Sequence, residues 1–252
     1  MVDAIIQARI NSTRLPGKVL KVIAGKPLLF YVIERLKKAK NIKNIILAIP
    51  DTKKNDILEK FAKKNDIKYF RGSEDDVLSR FYFATKQFNS KNILRVCADR
   101  PLLDPILIDF VIDKYFECNA DYISTRIKHT FPEGLTIEVF KSSVLKEAFK
   151  KAKEPSQREH VTPYIYANAQ KFSIASVENE EDLSSMRWTI DEKRDVDFLK
   201  VLLKNKSIFS FKEITEFLKK TPKITKINSK IKQVILKEQE KKDFNYRFVF
   251  KH

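Results

Sequence analysis

The first half of the chain alternates short apolar runs with longer segments of helical periodicity, and this alternation limits the fold more than any other feature. Apolar runs of strand length predict β-strands, and the amphipathic segments between them predict helices. The predicted strands cover residues 2–8, 43–50, 67–71 and 92–97, and the predicted helices cover 27–39, 54–65 and 73–88. This βαβ order predicts an α/β fold, a mostly parallel mixed sheet with helices on both faces.

The second half of the chain is less regular. Its patterns predict helices over residues 104–117, 141–152, 158–169 and 192–204, and strands over 120–125, 135–140, 172–177 and 186–190. From residue 219 the chain becomes lysine-rich, with a helical pattern over 229–242 and an aromatic end over 244–250. We therefore predict a domain over residues 1–218 and a lysine-rich C-terminal helical extension over 219–252, which either packs on the domain or serves as an oligomer arm.

The length and composition indicate an ordinary globular protein. A chain of 252 residues with 43% hydrophobic residues can form one large α/β domain with an appendage. No apolar run approaches the roughly 20 residues of a membrane-spanning helix, and the first residues are typical of a strand rather than a signal peptide. Cys97 and Cys118 are far apart, without the spacing of a zinc site or a disulfide framework. These features predict a cytoplasmic protein that does not associate with membranes.

The formal net charge of +17 raises the question of nucleic-acid binding. The lysines are scattered over predicted helix faces, and the sequence lacks RNP-like, helix-turn-helix and zinc-finger signatures. We therefore interpret most of the charge as a solvated surface and predict no nucleic-acid partner. The excess of positive charge still favours anionic ligands.

The loop after the first predicted strand, QARINSTRLPGK over residues 7–18, is the first candidate site. It lies where α/β proteins commonly bind phosphate, and Pro16 and Gly17 favour a turn that a ligand can approach closely. Arg9, Arg14 and Lys18 would surround a polyphosphate. The pattern is neither a P-loop nor a dinucleotide fingerprint. The competing interpretation is surface charge in a mobile loop.

Two aspartates follow predicted strands directly. Asp99 comes after the strand over 92–97, and Asp191 comes after the strand over 186–190. Strand-end carboxylates can hold Mg²⁺, which prefers one or two carboxylates together with phosphate oxygens. Helix capping is the alternative for Asp191, while Asp104 is the expected cap of the helix that follows Asp99.

Several ordered blocks of the sequence resemble a known family. The blocks are IIQARINSTRLPGKVL, GKPLLFYVIERL, FRGSEDDVLSRFY, RVCADRPLLDP, FPEGLTIEVF, REHVTPYIY and RWTIDEKRDVDFL, and they extend from residue 2 to about residue 205. They resemble the sugar cytidylyltransferases typified by CMP-Kdo synthetase, most closely the spore coat polysaccharide biosynthesis protein F family. The resemblance implies a Rossmann-like nucleotidyltransferase fold that joins a sugar to CMP, and it leaves room for a homodimer.

The resemblance implies a nucleotide site in the opening loop. The residues expected to bind the nucleotide are Gln7, Ala8, Arg9, Ser12, Arg14, Lys18, Arg71, Gly72 and Ser73, where the last three begin a predicted helix. Asp99 and Asp191 match the Mg²⁺ ligands of the family, and Arg14, Lys18 and Asp99 are the expected catalytic residues. Ala98 departs from the glycine that usually precedes the first aspartate, which the fold tolerates unless that position needs a positive φ.

The acceptor-binding candidates come from three blocks. They are Arg100, Glu133, Glu138, Arg158, Glu159 and His160. Two of them have a structural alternative: His160 could simply bond within a helix start, and Glu138 could face outward from a strand.

These observations together predict a Mg²⁺-dependent cytidylyltransferase. It would transfer CMP from CTP to a sugar, an acidic sugar, or a sugar or polyol phosphate, releasing pyrophosphate for surface polysaccharide or glycan synthesis. The acceptor oxygen would attack the α-phosphorus in line, a reaction that depends on positioning and charge neutralisation. The alternatives are a nucleotidyltransferase that uses another nucleoside triphosphate, or a non-catalytic basic binding protein on the same fold.

Overall fold

The computed structural model describes residues 1–204, 210–232 and 246–252, and its strands confirm the predicted α/β class. The strands are β1 (Val2–Gln7), β2 (Val22–Ile23), β3 (Lys26–Pro27), β4 (Ile42–Pro50), β5 (Lys68–Gly72), β6 (Asn92–Cys97), β7 (Tyr122–Ser124), β8 (Glu138–Lys141), β9 (Ile174–Glu178) and β10 (Phe248–Lys251). Eight of these described strands form one sheet in the order β10-β9-β7-β8-β6-β1-β4-β5. Only β8 runs antiparallel to its neighbours in that sheet, so the sheet is mostly parallel.

Helices cover both faces of the sheet. They are α1 (Leu28–Lys38), α2 (Asp56–Lys64), α3 (Val77–Gln87), α4 (Pro105–Glu117), α5 (Ser142–Lys151), α6 (Pro155–His160), α7 (Pro163–Ala167), α8 (Lys193–Lys204), α9 (Phe211–Lys220) and α10 (Pro222–Thr225). In β1, Ala4 and Ile6 belong to a core shared with α1, α4 and α8, whereas Ile5 belongs to a core shared with α3 and α5. This division follows from the alternation of side chains along a strand.

The direction of the strands places the candidate residues at one edge of the sheet. The parallel strands β1 and β6 end at Gln7 and Cys97, which lie opposite each other in the register. The antiparallel strand β8 begins at the same edge, because Glu138 is in register with Arg95 of β6. The loops after β1 and β6 and the segment before β8 therefore meet, as expected for the ligand site of an open α/β sheet.

The end of the chain returns to this sheet. Strand β10 pairs in parallel with β9, and His252 contacts the rings of Phe110, Phe131 and Phe211. The predicted boundary between residues 218 and 219 falls inside α9, and most of the predicted helix over 229–242 lies outside the described residues. The division into a domain and an extension therefore stays a prediction. The aromatic end over 246–252 packs on the domain through β10 and His252.

Two predicted elements are wrong. Residues 186–190 form no strand, and their β-type pairing with the segment before β8 is limited, among the described residues, to one isolated bridge between Glu133 and Arg187. The predicted helix over 158–169 is divided into α6 and α7, since Val161 between them has a φ of 72°. The apolar periodicity of this segment does not indicate the break. The break lies just before Pro163, which is the first residue of α7.

The start of α3 also differs from its prediction. The helix begins at Val77 rather than at residue 73, and its N-cap residue, Asp76, accepts a hydrogen bond from the Ser79 amide at 2.9 Å. Ser73 lies one turn earlier and accepts from the Asp76 amide. The predicted cap of α4 is confirmed, because Asp104 accepts from the amides of Ile106 and Leu107.

We predict that Gly134→Ala destabilises the protein strongly. Gly134 has a φ of 110°, and a Cβ there would lie 2.6 Å from the Thr189 amide nitrogen and 2.7 Å from the Trp188 carbonyl carbon. Backbone strain together with this clash should lower the free energy of unfolding by roughly 2 to 5 kcal/mol. Urea denaturation monitored by circular dichroism measures the change.

Gly25→Ala is the matched control for that prediction. Gly25 also has a positive φ, of 82°, but no described atom beyond its chain neighbours would lie within 4 Å of its Cβ. Strain alone should cost about 1 to 2 kcal/mol there. Equal losses in the two variants would show that the contact of Gly134 with the Trp188–Thr189 backbone has no energetic role.

Candidate active site

The loop after β1 folds back on itself to bring its basic residues to the sheet edge. The Gly17 amide donates to the Ile10 carbonyl at 3.0 Å, and the Ile10 amide donates to the Asn55 side chain, also at 3.0 Å. Gly17 has a φ of 69°, a conformation that favours glycine. The loop is therefore held by hydrogen bonds at its base, and Lys18 directly follows its tightest turn.

Lys18 lies between the two aspartates that the sequence singled out, Asp99 and Asp191. Its Nζ donates to Asp99 Oδ2 at 2.6 Å, to Asp191 Oδ1 at 2.7 Å and to the Ile190 carbonyl at 3.1 Å. The Lys18 side chain is only 11% exposed. Burial disfavours its charge, but the two carboxylates outweigh burial, so the pKa of Lys18 lies above its ordinary value.

Asp191 is fixed by a second set of contacts. Arg14 lies 3.1 Å from one carboxylate oxygen, and Arg187 Nη2 donates to the other at 2.9 Å. Burial acts to raise the pKa of Asp191, but Lys18, Arg14 and Arg187 lower it below its usual value. Asp195, inside the first turn of α8, accepts hydrogen bonds with its Oδ2 from the Asp191 and Glu192 amides. The Asp191 carboxylate therefore faces cations rather than the start of α8.

The donor set at this point fits a hard divalent ion. The carboxylates of Asp99 and Asp191 both contact the Lys18 ammonium, so this position stabilises positive charge. Within the described ranges no three His, Cys, Asp or Glu side chains form a complete metal site. Mg²⁺ suits such a partial site, because it binds through one or two carboxylates and takes its other ligands from water and phosphate.

Two adjoining cavities open at this edge of the sheet. The first, which we name the loop lobe, has a volume of about 310 Å³ and is lined by the opening loop and by Val77 and Arg80 of α3. The second, which we name the arginine lobe, has a volume of about 300 Å³ and lies over the ends of β6 and β8. Both lobes share the residues Gln7, Arg14, Cys97, Asp99, His160 and Asp191. The two aspartates therefore stand where the lobes meet.

Most of the predicted site residues lie in one of these lobes. The loop lobe contains Gln7, Ala8, Arg9, Ser12, Arg14, Lys18, Asp99, Glu159, His160 and Asp191. The arginine lobe adds Arg100, Glu133 and Glu138. Arg9 and Glu159 face each other across the loop lobe at 3.7 Å. Segments that are far apart in sequence therefore form one continuous cleft.

Four predicted residues line neither lobe. Arg71 is held by carboxylates, with Asp51 at 3.2 Å and Asp56 at 2.8 Å among its partners. Gly72 precedes the α3 loop, and Ser73 accepts the hydrogen bond from Asp76 described above. Arg158 pairs with Asp76 and donates to the Phe149 carbonyl at 2.8 Å. A direct role of these four residues in ligand binding stays a prediction.

Buried ion pairs form the wall of the arginine lobe. Glu138 is 2% exposed and accepts hydrogen bonds from Arg95 at 2.5 Å, Tyr122 at 2.7 Å and Thr162 at 2.8 Å. Burial alone would raise the pKa of Glu138, but Arg95, Arg100 and these hydrogen bonds lower it to about 2. Glu138 therefore points inward, not outward from the strand.

Glu133 has a similar place in this wall. Arg126 forms an ion pair with its carboxylate. Burial acts to raise the pKa of Glu133, but Arg126 and Arg100 lower it. Its backbone joins the segment before α8, because the Trp188 amide donates to the Glu133 carbonyl at 2.6 Å. Glu133 thus ties the loop before β8 to the segment that carries Asp191.

The sequence analysis missed several arginines of the cleft. Arg80 lines the loop lobe although it is 2% exposed, and burial together with Arg9 lowers its pKa to about 10. Arg95, Arg126 and Arg187 line the arginine lobe. The one available signal was an arginine inside an apolar strand or helix pattern, as for Arg80 in VLSRF and Arg95 in NILRVC.

Comparison with known proteins gives a consistent answer. Residues 4–247 match the cytidylyltransferase family. The chain is 39% identical over 240 residues to an uncharacterized protein of Methanocaldococcus jannaschii, covering 94% of this chain and 98% of that protein. It is 35% identical over 205 residues to the spore coat polysaccharide biosynthesis protein SpsF of Bacillus subtilis, covering 79% of this chain and 84% of that protein.

A solved structure extends the similarity to three dimensions. A cytidylyltransferase from Leptospira borgpetersenii superposes with a TM-score of 0.85 at 34% identity, covering 93% of this chain and 98% of that one. The predicted nucleotidyltransferase fold is thereby confirmed. None of the helices in the described residues has the length and apolar character needed to span a bilayer.

We predict that Glu138→Gln destabilises the fold in a pH-dependent way. Because the pKa of Glu138 falls from its ordinary 4.5 to about 2, its ionised form stabilises the protein above pH 4.5, and this stabilisation is lost as the pH falls toward 2. The variant leaves Arg95 buried without its charge partner, which should cost about 3–5 kcal/mol at pH 7. Urea denaturation between pH 2 and pH 7 should show the difference from wild type shrinking below pH 4.5.

Glu147→Gln provides the control. Glu147 forms a partly exposed pair with Lys151 at 3.3 Å, so its loss should change stability by less than about 1 kcal/mol. A constant difference between Glu138→Gln and wild type across the acidic range would contradict the assigned ionisation of Glu138.

Proposed function

The chain belongs to the cytidylyltransferase family and is a nucleotidyltransferase, and from this premise we propose that it transfers CMP from CTP to a sugar-like acceptor. The observation that carries the proposal is the convergence of Asp99 and Asp191 on one cation beside the basic loop. This arrangement supports a reaction in which a triphosphate and an acceptor oxygen meet at the two aspartates. The loop lobe then takes the nucleotide, and the arginine lobe takes the acceptor.

The proposed reaction is an in-line substitution at the α-phosphorus of CTP. An acceptor oxygen forms a bond to that phosphorus, the bond from the α-phosphorus to the oxygen that bridges to the β-phosphorus breaks, and pyrophosphate leaves; an acceptor that reacts through a hydroxyl releases its proton to water. Arg14 lines both lobes and Lys18 contacts the two aspartates at their junction, so both can stabilise the charge that accumulates on pyrophosphate. Arg9 and Ser12 extend the same wall of the loop lobe, so they are the proposed contacts of the triphosphate tail.

The proposed metal ion is Mg²⁺, held by Asp99 and Asp191. Bound there, it would supply charge neutralisation for the phosphate oxygens. Lys18 would share these two carboxylates with the ion, since both Asp99 Oδ2 and Asp191 Oδ1 accept from its ammonium. In the loaded enzyme we therefore expect Lys18 to turn its ammonium toward the triphosphate.

The proposed acceptor is a sugar, an acidic sugar, or a sugar or polyol phosphate that serves surface polysaccharide or glycan synthesis. The similarity to SpsF, whose name refers to spore coat polysaccharide, supports this class. Arg100 and His160 line the arginine lobe and are the proposed acceptor contacts, together with the carboxylates in its wall. A homodimer and a cytoplasmic location stay predictions from the sequence.

The family limits the alternatives. A non-catalytic basic binding protein is disfavoured because the chain belongs to a family of nucleotidyltransferases. A different nucleoside triphosphate remains the second candidate, because the cleft geometry by itself supports triphosphate binding without distinguishing the base.

We predict pyrophosphate release with CTP, and not with ATP, GTP or UTP, when the enzyme is given Mg²⁺ and a panel of sugar acids, sugar phosphates and polyol phosphates.

Asp99→Asn and Asp191→Asn should each lower kcat by at least ~100-fold, because each removes a charge from the junction of the lobes. A coupled pyrophosphate assay measures both effects. Chelation by EDTA should abolish turnover, and Mg²⁺ should restore it.

Asp75→Asn is the matched control for these variants, because Asp75 is an exposed aspartate that lines neither lobe. Its activity should equal that of the wild type. Release with a different nucleoside triphosphate would replace CTP in the proposal, and full activity in both site variants would overturn the assignment of the aspartates.

We further predict that Lys18→Met increases the affinity for Mn²⁺ in the absence of nucleotide. Removing the ammonium leaves two carboxylates without the cation that bridges them. Binding should strengthen by about tenfold or more, because each lost contact is a close charge pair. Electron paramagnetic resonance of free Mn²⁺ measures the change. Unchanged or weaker binding would mean that Lys18 and the metal ion do not share one site.

A further inference from the structure

The turn that follows α10 brings the lysine-rich extension back to the cleft. Ile224 and Ile227 are partly buried against the main core, and the Ile227 amide donates to the Ile224 carbonyl at 3.1 Å. The next residue, Asn228, is only 1% exposed. A polar side chain buried to this degree needs hydrogen-bond partners inside the protein, so the partners of Asn228 indicate what the turn supports.

Both partners of the Asn228 side chain belong to the segment around Asp191. Its Nδ2 donates to the Arg187 carbonyl at 2.9 Å and to Asp195 Oδ1 at 2.9 Å. These two bonds use both N–H groups of the amide, and both acceptors are oxygens, so the amide has one favourable orientation. Asn228 lies 41 positions beyond Arg187, so this contact joins the predicted extension to the segment that carries Asp191.

Asp195 is the centre of this set of contacts. It is fully buried, and its Oδ1 accepts from Arg187 Nε at 3.0 Å as well as from Asn228. Its Oδ2 accepts from the Asp191 amide at 2.9 Å. A buried carboxylate is stable only when its oxygens are bonded, and Asn228 supplies one of these bonds. Asp195 therefore holds the backbone of Asp191 and the side chain of Arg187 together.

Arg187 extends these contacts to the Asp191 carboxylate. Its Nη2 donates to Asp191 Oδ2 at 2.9 Å, while Asp191 Oδ1 accepts from Lys18 at 2.7 Å. One oxygen thus faces the segment before α8 and the other faces the opening loop. When Lys18 turns toward a triphosphate, as proposed above, the bond from Arg187 remains and keeps the orientation of the carboxylate.

We propose that Asn228 is a positioning residue of the active site, which acts through Asp195 and Arg187 to orient the Asp191 carboxylate. The consequence for metal binding rests on the proposed function, because it takes Asp191 as a metal ligand. Groups that orient metal ligands typically change metal affinity or activity by about 10- to 100-fold when they are replaced. The predicted lysine-rich extension thus contributes to the site through its buried turn.

The first test needs neither metal nor substrate. Arg187 is 5% exposed, and its Nε–H is bonded to Asp195, so this proton should exchange slowly with water. Asn228→Leu removes both donors at similar volume and should speed that exchange by about tenfold or more. NMR of the arginine Nε–H groups measures the rate, and the Arg187 signal is assigned by its loss in Arg187→Lys.

The second test measures the demand for the metal ion. Asn228→Leu should raise the Mg²⁺ concentration for half-maximal pyrophosphate release by about tenfold, while the KM for CTP at saturating Mg²⁺ stays within about twofold. The split is expected because the variant loosens a metal ligand and leaves the opening loop intact. Asn228→Ala introduces no new bulk and replaces Asn228→Leu if the latter does not fold, with the same direction of both effects.

Asn179→Leu is the matched control. Asn179 is also buried, at 8% exposure, and its Nδ2 donates to the Glu181 carbonyl at 2.7 Å, but it lines neither lobe. This variant should lower the melting temperature as Asn228→Leu does, with the Arg187 exchange rate and the Mg²⁺ demand of the wild type.

The outcomes separate this inference from the proposed function. If no nucleoside triphosphate gives pyrophosphate with the wild type, the proposed function fails, and the exchange rate of Arg187 still decides whether Asn228 holds it. If the wild type is active and Asn228→Leu keeps the wild-type exchange rate or the wild-type Mg²⁺ demand, the positioning role is wrong. A purely structural role of Asn228 would lower the melting temperature alone, as in the control, and would equally overturn the inference.

Discussion

The cleft depends on a single buried ammonium group. Lys18 joins the opening loop, the end of β6 and the segment before α8, because its Nζ contacts Asp99, Asp191 and the Ile190 carbonyl at once. Two carboxylates at this distance would repel each other without a cation between them. The same contacts that hold the three segments together therefore create the place where a metal ion and a triphosphate are proposed to bind.

Buried charge pairs repeat this principle along the wall of the cleft. Arg95 with Glu138 joins β6 to β8, whereas Arg126 with Glu133 and Arg187 with Asp195 each fix the shape of one local segment. Such pairs contribute little net stability over an apolar contact, but breaking one leaves an isolated charge. Their value here is positional, since they fix the orientation of polar groups in a cavity that takes polar ligands.

The sequence predicts most strands of the sheet and the position of Asp99, because both follow from local patterns. Apolar runs define β1, β4 and β6, and the position of Asp99 after a strand holds in the structure. Residues 186–190 have the apolar pattern of a strand because Trp188 and Ile190 are buried. The segment is nevertheless irregular, since the amides of these two residues bond to the Glu133 and Asp99 carbonyls rather than to a neighbouring strand. Arg71 resembles a phosphate ligand until folding places Asp51 and Asp56 beside it. Pairings of this kind join distant residues and leave no local pattern to read.

The separation of Lys18 and Asp191 has a consequence for the order in which the molecule assembles. The two residues are 173 positions apart. Their contact therefore closes a loop that contains most of the first 204 residues. Contacts of such long range form after local helices and neighbouring strand pairs, because the chain must first lose most of its freedom. We therefore expect the cleft to form late in folding, so that recovery of catalysis after denaturation would report the completed topology rather than the recovery of secondary structure.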